Sequence, residues 1–130
     1  MNILLIVHSI LRWFIIVMAA LTVFKFAVSW ASNSSFKGMD RALASGLSGL
    51  IDLQVLLGLI FFLWNGFTST GFPGYRWLHL FIMLVAAALA HVPSRLKALS
   101  DKLRFQYSVF AILGALALIF VGVAVVVAGK

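Results

Sequence analysis

Four ionisable side chains stand in two pairs inside strongly apolar sequence. His8 and Arg12 interrupt the run "MNILLIVHSILRWFIIVMAALTVF", and Arg76 and His79 open the run "RWLHLFIMLVAAALA". Residues four apart on a helix share a face one turn apart, so His8 and Arg12 project to the same side. Imidazole nitrogen is a metal donor, and the guanidinium fork binds carboxylates. Two imidazoles that approach one iron from opposite faces would ligate a b-type haem, and two guanidiniums beside them would neutralise its propionates. Met18 and Met83 are weaker candidate ligands that serve equally well as packing residues.

A second polar set comprises Lys25, Asp52, Gln54 and His91. Ala42, Ser45, Gly49 and Asp52 recur at helical spacing and suggest a small-residue stripe for close helix packing, with the carboxylate on the same face. Asp52 is therefore expected to point into the protein and to pair with Lys25 or with His91, since an unpaired buried charge is costly. Gln54, one turn before Gly58, is expected to bond across a close helix contact. Structural pairing of Asp52 is favoured over proton transfer or binding of a quinone headgroup.

Composition sets what can carry these groups. The chain has 130 residues, of which 64% are hydrophobic and 10% charged, with mean hydropathy +1.15. A soluble domain of that make-up would expose a large apolar surface, so the chain reads as an integral membrane protein. Cysteine is absent, which excludes disulfides, iron–sulfur clusters, thiolate zinc sites and covalent c-type haem. Glutamate is absent too, so a carboxylate-bridged metal site of the ferritin type is excluded, and there is no His-Glu-x-x-His or glycine-rich phosphate loop. Ser9 beside His8 is no nucleophile pair, because sequence neighbours leave a helix on different sides. No independent catalytic activity is expected.

Four apolar runs are visible, at about 3–30, 42–64, 77–92 and 105–128. Each suits a bilayer-spanning helix, which needs about 20 residues. Polar "ASNSSFKGMDR", turn-rich "NGFTSTGFPGYR" and basic "PSRLKALSDKLR" separate them. Loops this short join antiparallel neighbours, so the fold class expected is all-α, a single-domain up-down-up-down membrane four-helix bundle without an evident internal repeat. Trp13, Trp30, Trp64, Tyr75 and Trp77 fall near run ends, as interfacial aromatics do.

The net charge of +7 is topological under this reading and does not call for nucleic acid. Lys25, Lys37, Arg41, Arg95, Lys97, Lys102 and Arg104 gather around loops 31–41 and 93–104, whereas Arg12, Arg76 and Lys130 lie at the other side. The positive-inside rule makes the two basic loops cytoplasmic and both termini external. Runs one and three then enter from the same side, which puts His8 and His79 at similar depth on diagonal helices of the bundle. His91 lies twelve residues beyond His79, about 18 Å along a helix, and cannot share a ligand with it. A solvated His8 with Arg12 reaching to the headgroups is the plain alternative.

The segments His8-Ser9-x-Leu11-Arg12-Trp13, Gln54-x-x-x-Gly58 and Arg76-x-x-His79-x-x-x-Met83 resemble a family of small bacterial four-helix membrane proteins often labelled cytochrome b or cytochrome-b-like. The resemblance covers most of the chain and marks His8, Arg12, Gln54 and His79 as the positions that matter. Members often carry glycine after His-Ser and an acidic residue before the third-helix histidine, where this chain has Ile10 and Leu78. It implies a haem b protein of the bacterial cytoplasmic membrane that passes electrons, with His8 and His79 as axial ligands and Arg12 and Arg76 as propionate partners. Alternatives are a cofactor-free accessory subunit of a larger respiratory or photosynthetic membrane complex, its His8 and Arg12 on a lipid headgroup or partner loop, or a quinone- or chlorophyll-binding protein.

Overall fold

The computed structural model describes residues 2–129; Lys130, one of the three positive charges assigned above to the terminal side, lies outside the described residues. Four helices account for most of the chain: α1 (Asn2–Ala31), α2 (Gly38–Asn65), α3 (Gly74–Ala90) and α4 (Asp101–Gly129). There is no strand among the described residues, and all four helices are long and apolar enough to cross a membrane. The protein is an all-α, up-down-up-down membrane four-helix bundle.

Helix limits differ from the apolar runs where capping overrides hydropathy. α2 begins four residues before Ala42 because the Asp40 carboxylate accepts the Lys37 backbone N–H at 2.9 Å and sits in the first turn, where it complements the helix dipole. α3 starts at Gly74 behind Pro73, whose carbonyl accepts the Arg76 N–H at 3.0 Å. It ends at Ala90, and Val92–Arg95 tighten into a 3-10 turn around Pro93, which cannot continue an α-helix. Asn33, at φ 54, takes the left-handed conformation that closes α1. After α2 the backbone widens into a π-helical turn, Gly66–Thr70, and reverses at Gly71 with φ 68, a conformation glycine adopts without strain.

In cross-section the helices form a square. α1 packs on α2 and α4, α3 packs on α2 and α4, and among the described residues the diagonal pairs bring no Cα atoms within 8 Å of each other. The core follows the seams: Ile15 and Ala19 of α1, Leu47 and Ile51 of α2, Ala86 and Ala90 of α3, and Ile112, Ala115 and Ile119 of α4. Large apolar residues such as Phe14, Leu21, Leu56, Phe81 and Phe120 face outward, as expected of a surface bathed in lipid.

The two ends differ in chemistry. At the terminal end, Phe62, Phe72 and Trp77 stack with centroids 4.9–6.0 Å apart and seal the α2–α3 connection. At the basic end, Phe26, Phe36 and Phe105 form a triad with centroids 5.1–5.9 Å apart. Beside that triad Lys25 forms an ion pair with Asp40, whose side chain is completely buried.

That pair corrects two expectations. Lys25 does not reach Asp52, because Asp40 lies at its level on α2. Asp52 does not point into the bundle either: its side chain is 49% exposed and pairs with His91 Nε2 at 2.8 Å. The stripe of Ala42, Ser45, Gly49 and Asp52 is exposed throughout, and α2 instead buries Ala44, Leu47, Ser48 and Ile51. Close helix packing occurs on the α3–α4 seam, where Leu89 lies 3.2 Å from the position a Cβ at Gly114 would take.

Candidate functional site

His8 belongs to the seam of α1 with α2. Its Nε2 would lie 3.0 Å from a Cβ at Gly58, so the missing side chain is what leaves room for the ring. One turn earlier on α2, Gln54 donates from Nε2 to the His8 carbonyl oxygen at 2.7 Å. That bond satisfies a carbonyl already within α1 and locks the two helices in register. Gln54 therefore belongs with His8 and not with Lys25, Asp52 and His91, among which the sequence reading grouped it.

His79 repeats this seating in the second hairpin. Its Nδ1 lies 2.8 Å from the Gly122 carbonyl oxygen of α4, and a Cβ at Gly122 would stand 3.3 Å from the same nitrogen. A carbonyl only accepts, so Nδ1 carries the proton and Nε2 keeps its lone pair. Nothing in the sequence marks Gly122 for this part. Its contact with His79 depends on a backbone atom, which no residue-type pattern reveals.

The four positions lie at one level. His8, Gly58, His79 and Gly122 are five to seven residues from the terminal-end limits of their helices, about 8–11 Å along the axes. Between them the square opens into a cavity of about 470 Å³ lined by His8, Arg12, Gln54, Arg76, His79 and Met83 with apolar residues from all four helices. Voids in well-packed interiors rarely exceed a water molecule, whereas small-molecule sites span about 300–1,000 Å³. Met18 is not among the lining residues and packs against the core.

Both arginines of the sequence reading reach this cavity. Arg12 sits over the Trp13 ring at 5.3 Å, and Arg76 lies between the rings of Phe61 and Tyr75 at 5.7 and 5.9 Å. Arg76 Nε donates to the Tyr75 hydroxyl at 3.4 Å, while its Nη1 is buried without a hydrogen-bond partner. Gln54 Oε1 is likewise buried and unpartnered. Leaving such groups unsatisfied costs about 1–3 kcal/mol each, more where charge is involved, so an anionic group that also offers a donor suits the cavity.

Lys25 and His91 stay outside this assembly, as does Asp52. Among the described residues no three His, Asp or Glu side chains converge on one point. A ligand that brings most of its own donor atoms, and asks only two imidazoles of the protein, fits this donor set. Comparison with protein-family models, curated proteins and solved structures returned no match.

Proposed function

We propose that the protein is a small electron-transfer protein of a bacterial cytoplasmic membrane, with both termini external, whose cavity holds a b-type haem. His8 and His79 would hold its iron in this reading. Arg12 and Arg76 would neutralise its carboxylates, and Gln54 keeps α1 and α2 in register. The observation that carries it is the placement of two imidazoles at one level on diagonal helices, both opening into one apolar cavity with two arginines. The residues fit the group: the Gly122 carbonyl takes the His79 Nδ1–H and leaves Nε2 its lone pair, the absent side chain of Gly58 leaves room for the His8 ring, and Arg76 Nη1 is buried without a partner.

Bound haem supplies reversible one-electron chemistry. The chain positions and tunes it through ligand basicity, local charge and exclusion of water. Hydrogen bonding of an imidazole N–H to an acceptor makes the opposite nitrogen a stronger donor, which is the part the Gly122 carbonyl plays toward His79. A carboxylate one residue before His79 is thus dispensable: Leu78 is exposed, and the orienting acceptor comes from α4. The resemblance to small cytochrome-b-like membrane proteins agrees with this reading.

Purified protein is expected to carry a Soret band, with sharp bands on reduction. A colourless preparation that takes up no added haem would overturn the proposal. If such a preparation also co-purified with a large redox assembly, a cofactor-free accessory subunit would be the better account.

A further inference from the structure

A second cavity lies at the basic end, between α2, the 3-10 turn and α4, and has a volume of about 130 Å³. Its polar lining is Arg41, Ser45, Ser94, Lys97 and Arg104. Three cations and two hydroxyls thus face one small space with no carboxylate among them. The three aspartates of the chain do not compensate: Asp40 is engaged by Lys25 and the Lys37 N–H, Asp52 by His91, and Asp101 is exposed outside the lining.

Arg104 adds an independent observation. Its guanidinium lies 3.7 Å from the centroid of the Phe36 ring. Its Nε is buried and has no hydrogen-bond partner. A guanidinium held over an aromatic ring with an unspent donor is prepared for the oxygens of a planar or tetrahedral oxyanion. Like charges brought together around a cavity repel one another, and a bound anion reverses the sign of that interaction.

Position and size narrow the anion. The third apolar span runs from Gly74 to Arg95, 22 residues or about 33 Å, so Ser94 and Lys97 fall where a bilayer's hydrocarbon gives way to headgroups. The volume suits a phosphate group and is too small for a nucleotide. Basic pockets between membrane helices on the positively charged side hold anionic headgroups by this chemistry.

We propose that Arg41, Lys97, Arg104, Ser45 and Ser94 form a phosphate-binding site, filled by an anionic phospholipid headgroup or by free phosphate. It is independent of the haem reading, since it shares no lining residue with the larger cavity.

The test is lipid retention by native mass spectrometry of the full chain released from neutral detergent, together with calorimetric titration of inorganic phosphate. Phosphatidylglycerol is expected to be retained, and zwitterionic phosphatidylcholine not. Arg41→Gln with Lys97→Gln, at exposed positions that leave the core intact, should weaken retention by tenfold or more, on the order of one lost charge-assisted contact. Arg95→Gln with Lys102→Gln removes the same charge outside the cavity and should leave it unchanged. Arg104→Lys keeps the charge, loses the fork and should weaken it as well. Binding of inorganic phosphate without phosphatidylglycerol assigns the site to the free anion. Binding of neither, or equal loss in the two double variants, overturns it.

Discussion

His79 donates its Nδ1–H to the carbonyl oxygen of Gly122 at 2.8 Å, across the α3–α4 seam. The bond selects the tautomer in which Nε2 keeps its lone pair, on a side chain that lines the central cavity. It exists because position 122 has no side chain: a Cβ there would overlap the Met83 methyl group and crowd the imidazole. His8 also packs against a glycine, Gly58 across the α1–α2 seam, but through Nε2 and Cδ2. Each hairpin thus seats one imidazole against one glycine, and both imidazoles line the central cavity.

Gly122→Ala is expected to displace Met83 and tilt His79, lowering haem occupancy severalfold while helicity by circular dichroism is retained. Adding Met83→Ala removes the overlap and should restore much of the occupancy, because the thioether is the more severe clash. No recovery in the double variant would mean that Gly122 acts through backbone geometry and not through space for Met83.

Gly58→Leu fills the space in front of His8 Nε2. Occupancy should fall to the level of a His8→Ala variant, with the bundle still folded, as measured by the ratio of Soret to protein absorbance. Gly46→Leu on the same helix, where nothing lies within 4 Å of the added Cβ, serves as control and should leave occupancy unchanged.

Arg76→Leu removes the guanidinium whose Nη1 is buried and unpartnered. Loss of one charge-assisted hydrogen bond costs about 1.5–3 kcal/mol, which corresponds to haem affinity weakened by about 10- to 100-fold. Arg76→Lys keeps the charge without the fork and should fall between. Titration of apoprotein with haem measures both; equal affinity in all three proteins would remove Arg76 from the site.

The fold was legible because it rests on bulk properties. Four apolar runs divided by short polar loops allow little besides an antiparallel bundle, and the diagonal placement of His8 and His79 follows from that connectivity. The polar contacts were legible only where one helix face dictates them. The residue types alone grouped Gln54 with Asp52, two positions away, but residues two apart leave a helix on different sides, and Gln54 turns to His8 while Asp52 turns to His91. The outward stripe of Ala42, Ser45, Gly49 and Asp52 misled because small residues permit a close contact without requiring one. The Gly122 carbonyl was invisible, since every residue has one.

Lys25 and Asp40 are expected to matter more for stability than Asp52 and His91. The Asp40 side chain is fully buried and also caps α2, whereas Asp52 and His91 are 49% and 42% exposed. Asp40→Ala should cost about 2–4 kcal/mol by combining a lost cap with an unpaired lysine, and Asp40→Asn less, since the amide oxygen still caps. Asp52→Asn should stay within about 1 kcal/mol. Reversible unfolding in detergent ranks the three, and the opposite order would contradict the assignment of the buried pair.

The orientation can be read directly because the chain has no cysteine. Ser69→Cys, in the α2–α3 connection, is expected to react with a membrane-impermeant maleimide on intact cells. Ser35→Cys and Ala98→Cys, in the two basic loops, should react only after the membrane is opened. The reverse pattern would place both termini inside.

The most direct test of the central claim is the absorption spectrum of the purified protein beside those of His8→Ala and His79→Ala, each supplied with haem during expression and again after purification. The parent protein should show a Soret band with sharp reduced-state bands, and both variants should lose the bis-histidine spectrum. A parent protein that stays colourless after haem addition, or a spectrum that survives both substitutions, would contradict it.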